Sequence, residues 1–234
     1  MRIDKFLSNL KYGSRSEIKE MVSGGEIVCN DVPVTDAAMN IDPDTDKITV
    51  AGEVVFYKPW IYLMMNKPSG VVSANKDAKN KTVIDLVHEP YSRFDLDLCG
   101  RLDIDTEGLM LLTNDGELLH QVINPKKDVE KVYEVDLAKP LKDAFRLEKG
   151  IQILDGKDQP FRTKPARILP ISEKKCQIAI TEGKFHQVKR MFEAIGNEVV
   201  SLKRLSIGGL VLDPSLWPGQ YKELSFSEVE AIFH

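Results

Sequence analysis

Cysteine, aromatic side chains, long apolar runs and an excess of positive charge are all scarce in this chain. Its three cysteines, Cys29, Cys99 and Cys176, are odd in number and far apart, with no Cys-x-x-Cys or Cys/His cluster. That usage excludes a disulfide framework and a zinc module, and it predicts reduced, buried thiols in a cytoplasmic protein. No stretch approaches the about 20 apolar residues of a membrane helix. The opening MRIDKFLSNLKYG alternates charge with apolar residues where a signal peptide has a continuous apolar core. No membrane partner is expected. Lys and Arg number 32 against 36 Asp and Glu, a net charge of -4, so any polyanion would have to be met by local clusters of cations rather than by the total.

What is present suits a soluble globular protein: 234 residues, 42% hydrophobic and 29% charged, enough for a small domain followed by a medium one. Ile3, Phe6, Leu7 and Leu10 follow the i, i+3, i+4, i+7 spacing of one helix face. Ser14-Arg15-Ser16-Glu17 is a capping box that starts a second helix, and Gly24-Gly25 stops it. Arg2, Lys5, Lys11, Arg15 and Lys19 concentrate on these two helices and form a candidate phosphate-binding surface. Residues 26–29 and 32–34 read as strands about a tight Asn30-Asp31 turn, and 47–50 with 54–56 as two more around Ala51-Gly52. Lys58-Pro59-Trp60 reads as a joint. The first unit is therefore assigned to residues 1–59 and the second to 60–234.

In the second unit, Ile61 to Met65 is a buried-strand candidate ending in the turn-rich Asn66-Lys67-Pro68-Ser69-Gly70. Lys131 to Leu137 alternates with period two, which places Tyr133 on the face of Val135 and Leu137. A helix follows Gly183, with an apolar stripe of Val188, Met191, Phe192 and Ile195 and with His186, Lys189 and Arg190 on another face. Lys184, Lys189, Arg190, Lys203 and Arg204 make this the most basic part of the unit. The stretch GRLDIDTEGLMLLTNDG, residues 100–116, holds four acids around an apolar run. As a calcium loop it fails, because Asn114 stands where a bidentate Glu should close the shell and Leu109 to Leu112 is built for a core. Its Asp103-Ile104-Asp105-Thr106 also matches the nucleophile loop of haloacid-dehalogenase-type phosphatases, but the apolar strand comes after the motif rather than before it. The remaining reading keeps Asp103 ionised beside Arg101 in a partly dry place, ready for chemistry. Asp105 and Thr106 are expected to shape the turn, and Glu107 and Asp115 to face water. No metal site is expected.

Several motifs then agree with a known family. The first unit, with RIDKFL, GSRSE and GEIVCND, resembles the small RNA-binding domain named after ribosomal protein S-four, although Asp31 stands where that family commonly has Gly and Asp36, Asp42, Asp44 and Asp46 make its second half acidic. That leaves the two helices to make any RNA contact. NKPSGVV, GRLDIDTEGLMLLTNDG, KVYEV, EGKFHQVKRMF and IGGL, in that order, resemble the RsuA-like branch of the pseudouridine synthases. The resemblance implies an α+β chain, in which a helix-helix-strand RNA-binding domain precedes a mixed, largely antiparallel sheet with flanking helices. It implies conversion of a uridine in ribosomal RNA to its carbon-linked isomer, with no cofactor. Asp103 is then the nucleophile, Tyr133 the active-site tyrosine and Lys189 the cation that pairs with the aspartate, while Arg101 attends the flipped nucleotide and Lys67 and Pro68 give structural support. Lys184, His186 and Arg190 join the helical cations as RNA contacts. The expected substrate is 16S rRNA, naked or in a partly assembled particle, and the protein is expected to act as a monomer. A 23S rRNA synthase and a non-catalytic assembly factor are the competing readings; the second is disfavoured because Asp103, Tyr133 and Lys189 are all in place.

Overall fold

The computed structural model describes residues 1–234 and divides them into two units, residues 1–61 with 88–95, and residues 62–87 with 96–234. In the first unit, helix α1 (Ile3–Asn9) buries Ile3, Phe6 and Leu7, and α2 (Arg15–Ser23) buries Ile18 and Val22. The capping box is formed: the Glu17 amide donates to the Ser14 hydroxyl and the Ser14 amide donates to the Glu17 carboxylate. Strands β1 (Ile27–Cys29), β2 (Val32–Pro33), β3 (Ile48–Val50) and β4 (Glu53–Val54) form an antiparallel sheet in the order β2-β1-β3-β4. The turn between β1 and β2 requires positive φ at both central residues, and Asn30 (49°) and Asp31 (65°) supply it. Asp31 thus adopts the conformation for which glycine is the easier residue.

The joint at residues 58–60 did not anticipate that residues 88–95 pack with the first unit. There the ring of Phe56 meets Tyr91 and Phe94 edge-on, Arg93 lies over Tyr12, and the Lys11 ammonium donates to the carbonyls of Ser92 and Phe94.

The second unit is built on a nine-stranded mixed sheet. Its strands are β5 (Tyr62–Lys67), β6 (Asp97–Leu98), β7 (Glu107–Thr113) and β8 (Lys131–Leu137), then β11 (Arg167–Ser172) and β12 (Lys175–Ile180), and finally β13 (Val199–Ile207), β14 (Leu210–Val211) and β15 (Tyr221–Glu223). A separate hairpin joins β9 (Gln152–Leu154) to β10 (Pro160–Arg162). Helices α3 (Gly116–Ile123), α4 (Ala144–Glu148), α5 (Gln187–Glu193) and α6 (Phe226–Glu230) complete the unit. The main order is β11-β12-β8-β13-β7-β5-β15, with every pairing antiparallel except that of β13 with β7. The α+β class and the largely antiparallel sheet match the sequence expectation.

Two local features fix the centre of this sheet. Leu109, Met110, Leu111 and Leu112 of β7 are fully buried, as their unbroken apolar run demands of a strand covered on both faces. Gly108 (φ +102°) lets β13 come close, since a Cβ there would meet the Arg204 carbonyl oxygen at 2.2 Å. The run ends at Asp115, which does not face water as expected: it caps α3, accepting from the amides of Glu117 and Leu118, and it also accepts the Tyr62 hydroxyl. Burial, and then Asp115, pushes the Tyr62 phenol up to about 12. All three cysteines are free thiols, and burial pushes Cys99 up to about 12. No helix is long and apolar enough to cross a membrane.

Candidate active site

The loop between β6 and β7 carries Asp103, and it is held from three sides. Ser73 accepts from the Leu102 amide and donates to the Leu102 carbonyl, bracketing the residue just before Asp103. The Thr106 amide closes a turn onto the Asp103 carbonyl. Beneath the loop, the fully buried Lys67 ammonium donates to the carbonyls of Pro68, Ile104 and Thr106 at 3.0, 3.3 and 2.8 Å. Burial draws Lys67 down to about 8, against the opposing pull of Asp105, Asp103 and Glu107. Lys67 acts here as the expected support, and it does so through backbone carbonyls.

On this loop Asp103 meets the ammonium of Lys189 from α5 and the ring of His186 from the segment before it. The Lys189 ammonium stands 3.2 Å from Asp103 Oδ2 and 2.6 Å from Asp105 Oδ1, so one lysine bridges two carboxylates. Burial opposes the charge on Lys189, but the two acids outweigh it and raise its pKa, and Lys189 in turn lowers that of Asp105. Asp105 is therefore more than a turn residue. On the other side of Asp103, His186 Nε2 lies 3.5 Å from Oδ1. The His186 backbone is left-handed (φ 50°) and its ring stacks on Phe185. Residues 182–187 are braced by Gln187, which accepts from the Lys184 amide and donates to Glu182. Neither Ser73 nor Gln187 announces this role in the sequence, because each acts on backbone or side chains that only the fold brings near.

Arg101, Asp103, Tyr133, Lys184 and His186 line one pocket, with Thr106 and Gln187 among its walls. Tyr133, 7% exposed, projects into it from β8 on the face the alternation predicts. The expected pairing of Arg101 with Asp103 is not formed; Arg101 is exposed at the rim, and the groups that face the Asp103 carboxylate are the Lys189 ammonium and the His186 ring. Arg190 departs further from expectation. Its Nη1 donates to the Leu154 and Asp155 carbonyls of the β9–β10 hairpin and its guanidinium lies over the Phe185 ring, so that nitrogen serves the fold. His186 precedes α5 as its left-handed N-cap rather than lying within the helix, and its ring still reaches the Asp103 carboxylate that Lys189 meets. Arg204, one of the five residues that make this the most basic part of the unit, is 2% exposed.

In the first unit the five helical cations divide. Arg2 is spent on the buried Asp4, and Lys11 on Asp95 and the carbonyls of residues 92 and 94. Lys5, Arg15 and Lys19 are exposed and make no ion pair.

The family model described as RNA pseudouridylate synthase matches residues 61–194, and that of the S4 domain matches residues 1–55. An uncharacterized RNA pseudouridine synthase of Bacillus subtilis is 47% identical, over 99% of this chain and 98% of the relative. Ribosomal small subunit pseudouridine synthase A of Vibrio cholerae is 38% identical over 100% of both chains, and that of Escherichia coli 37% identical over 99% and 100%. A crystal structure of a pseudouridylate synthase superposes with a TM-score of 0.68 at 36% identity, covering 99% of each chain. The chain is an S4-bearing member of the RNA pseudouridylate synthase family, in its RsuA-like branch.

Proposed function

We propose that this protein isomerises one uridine of 16S ribosomal RNA to pseudouridine, with Asp103 as the nucleophile and the target base flipped out of its stack. The observation that carries the reading is the bridge from Lys189 to Asp103 and Asp105, at the wall that Tyr133 also lines. The reaction breaks the bond between C1′ and N1, forms one between C1′ and C5, removes a proton from C5 and places one on N1. Net, nothing is oxidised or consumed. A carboxylate that adds covalently while the base turns, and a hydroxyl that can relay a proton, meet those needs. In this scheme the Lys189 ammonium, 3.2 Å away, orients the Asp103 carboxylate, and Tyr133 is both the apolar wall and the relay. Unstacking the target costs about a few kcal/mol, which the pocket walls and the cations Arg101 and Lys184 offset through base and phosphate contacts.

The small-subunit assignment rests on the names of the Vibrio and Escherichia relatives, which align along their whole length. We place the activity in the cytoplasm, on a monomer, with either free rRNA or an assembling particle as substrate. The test is to treat 16S and 23S transcripts, and particles assembled on the 16S, with the protein and map pseudouridine by carbodiimide-stop primer extension. One new stop confined to 16S is expected; a stop confined to 23S overturns the target, and none on any substrate overturns the synthase reading.

A further inference from the structure

Next to the Asp103 pocket, and sharing Arg101, Tyr133, Gly183 and Lys184 with it, lies a larger cavity. The space beside Asp103 measures about 60 Å³ and its neighbour about 410 Å³, which falls within the roughly 300–1,000 Å³ of small-molecule sites. The walls of the larger one are of two kinds. Val122, Ile123 and Pro125 are apolar and Phe161 of β10 offers a ring, over which the Lys184 ammonium sits at 5.1 Å. Facing them are two cations with no carboxylate partner. Arg204 is 98% buried by its 2% exposure, and its Nε donates to the Leu109 carbonyl at 2.8 Å. Its Nη1 points past Gly100, where a Cβ would stand 3.9 Å away, and makes no hydrogen bond in the protein. Lys131 donates to the Val129 carbonyl and has no ion pair; the nearby Asp128 is taken by Lys164.

Two desolvated cations side by side repel each other and lose water without return, an arrangement that is costly unless an anion completes it. The β13–β8 register explains how they meet, for Arg204 stands opposite Tyr133 and Ile207 opposite Lys131, so the cationic pair and the tyrosine belong to one corner of the sheet. An aromatic ring beside a buried arginine and a partly buried lysine, next to the space at Asp103, matches the chemistry of a phosphodiester with a base attached.

We propose that this cavity is a second subsite, which takes the nucleotide adjoining the target uridine in the same RNA strand, with its phosphodiester against Lys131 and Arg204 and its base against Phe161. The inference rests on the chain acting on RNA as a synthase, and it adds a residue-level source of sequence context to that activity. The subsite fills as the target base enters, so it contributes to KM and to the choice among uridines.

The test uses the full chain and rRNA fragments carrying the unmodified target uridine, with a single neutral methylphosphonate placed in turn at each linkage flanking it. For wild type, one linkage is expected to raise KM about tenfold, the loss of one charge-assisted contact. In Lys131→Met that same linkage is expected to have no further effect, while Lys131→Arg restores its sensitivity and Lys131→Met lowers the salt slope of binding by about 0.7–0.9. Phe161→Ala, on the separate hairpin, is expected to raise KM about tenfold against a natural neighbour and not against an abasic one. Equal, additive effects of every linkage in wild type and Lys131→Met, together with an indifferent Phe161→Ala, would overturn the subsite while leaving product formation intact. Absence of product from wild type on every fragment would instead overturn the synthase reading on which it stands.

Discussion

The cations of the two units are the same residue types in opposite physical settings. On α1 and α2 they sit at the surface: Lys5, Arg15 and Lys19 are exposed, and Arg2 and Lys11 are neutralised by Asp4 and Asp95. In the second unit Lys67 and Arg204 are almost wholly buried, Lys131 is largely so, and Lys189 keeps one quarter of its side chain exposed between two acids. Exposed charges act through a screened, salt-dependent field; buried ones act at full strength on whatever shares their pocket. The difference teaches that, on the proposed function, the first unit's cations can act on a polyanion only through the screened field, whereas those of the second unit act at short range on whatever part of it enters their pocket.

The contrast can be broken most sharply at Lys189. Lys189→Ala leaves Asp103 with His186 alone, and kcat is expected to fall at least about a hundredfold, in the range lost with one preorganised electrostatic group. Asp105→Asn only loosens the ammonium, so its expected loss is about tenfold, and rapid-quench single-turnover rates on the same RNA separate the two. If Asp105→Asn is the more damaging change, the roles of the two acids are exchanged. A pH titration of KM probes the buried pair in the larger cavity. Burial, with Arg204 adding to it and Asp128 opposing, draws the Lys131 ammonium down to about 8. Below that pH it is charged and attracts phosphate, and above it the attraction is lost. Arg101, Lys164, Lys184, Glu182, Tyr133 and Cys99 also line the cavity, and burial holds Cys99 protonated throughout this range. KM for wild type should therefore rise several-fold as pH passes upward through about 8, and Lys131→Arg, charged at every such pH, should lose the part of that rise that a neutral methylphosphonate at the sensitive linkage also removes, leaving only what Lys67, drawn to a similar value, contributes. The mildest expected effect is at the surface. Replacing Lys5, Arg15 and Lys19 together by Ala should raise KM by up to about tenfold at low salt and less at high salt, with the salt slope falling by about 2 to 3; filter binding across a salt series reads it directly.

Much of this was legible locally. The capping box, the Asn30-Asp31 turn, the buried β7 run and the inward face of Tyr133 each follow from spacing within about ten residues. The pairing of Lys189 with Asp103 followed from the family resemblance rather than from local spacing, which pointed to Arg101 instead, and the structure forms it at 3.2 Å. What stayed hidden depends on register between distant strands. Arg204 sits in a basic run and reads as surface charge, yet the parallel pairing of β13 with β7 at Gly108 carries it into the core. Asp105 could not be seen to share Lys189, since that needs the loop turned by Lys67 and Ser73. The tie of Arg190 to the β9–β10 hairpin was equally hidden, because the hairpin's carbonyls come within reach of its Nη1 only in the fold. Residues 88–95 gave no sign of joining the first unit, since their contacts there are aromatic edges and backbone acceptors without a sequence pattern.

The central claim is that Asp103 performs the chemistry. It is tested most directly by comparing wild type with Asp103→Asn on rRNA labelled with tritium at uridine C5, following the release of label as the carbon-linked isomer forms. The nearly isosteric change leaves the loop and its hydrogen bonds to Lys67 and Ser73 in place, which a matching thermal melt verifies. The expected result is quantitative release by wild type and a rate lower by on the order of 10⁴-fold or more in Asp103→Asn, the scale set by removing a nucleophile. Release by Asp103→Asn within about tenfold of wild type would contradict the account.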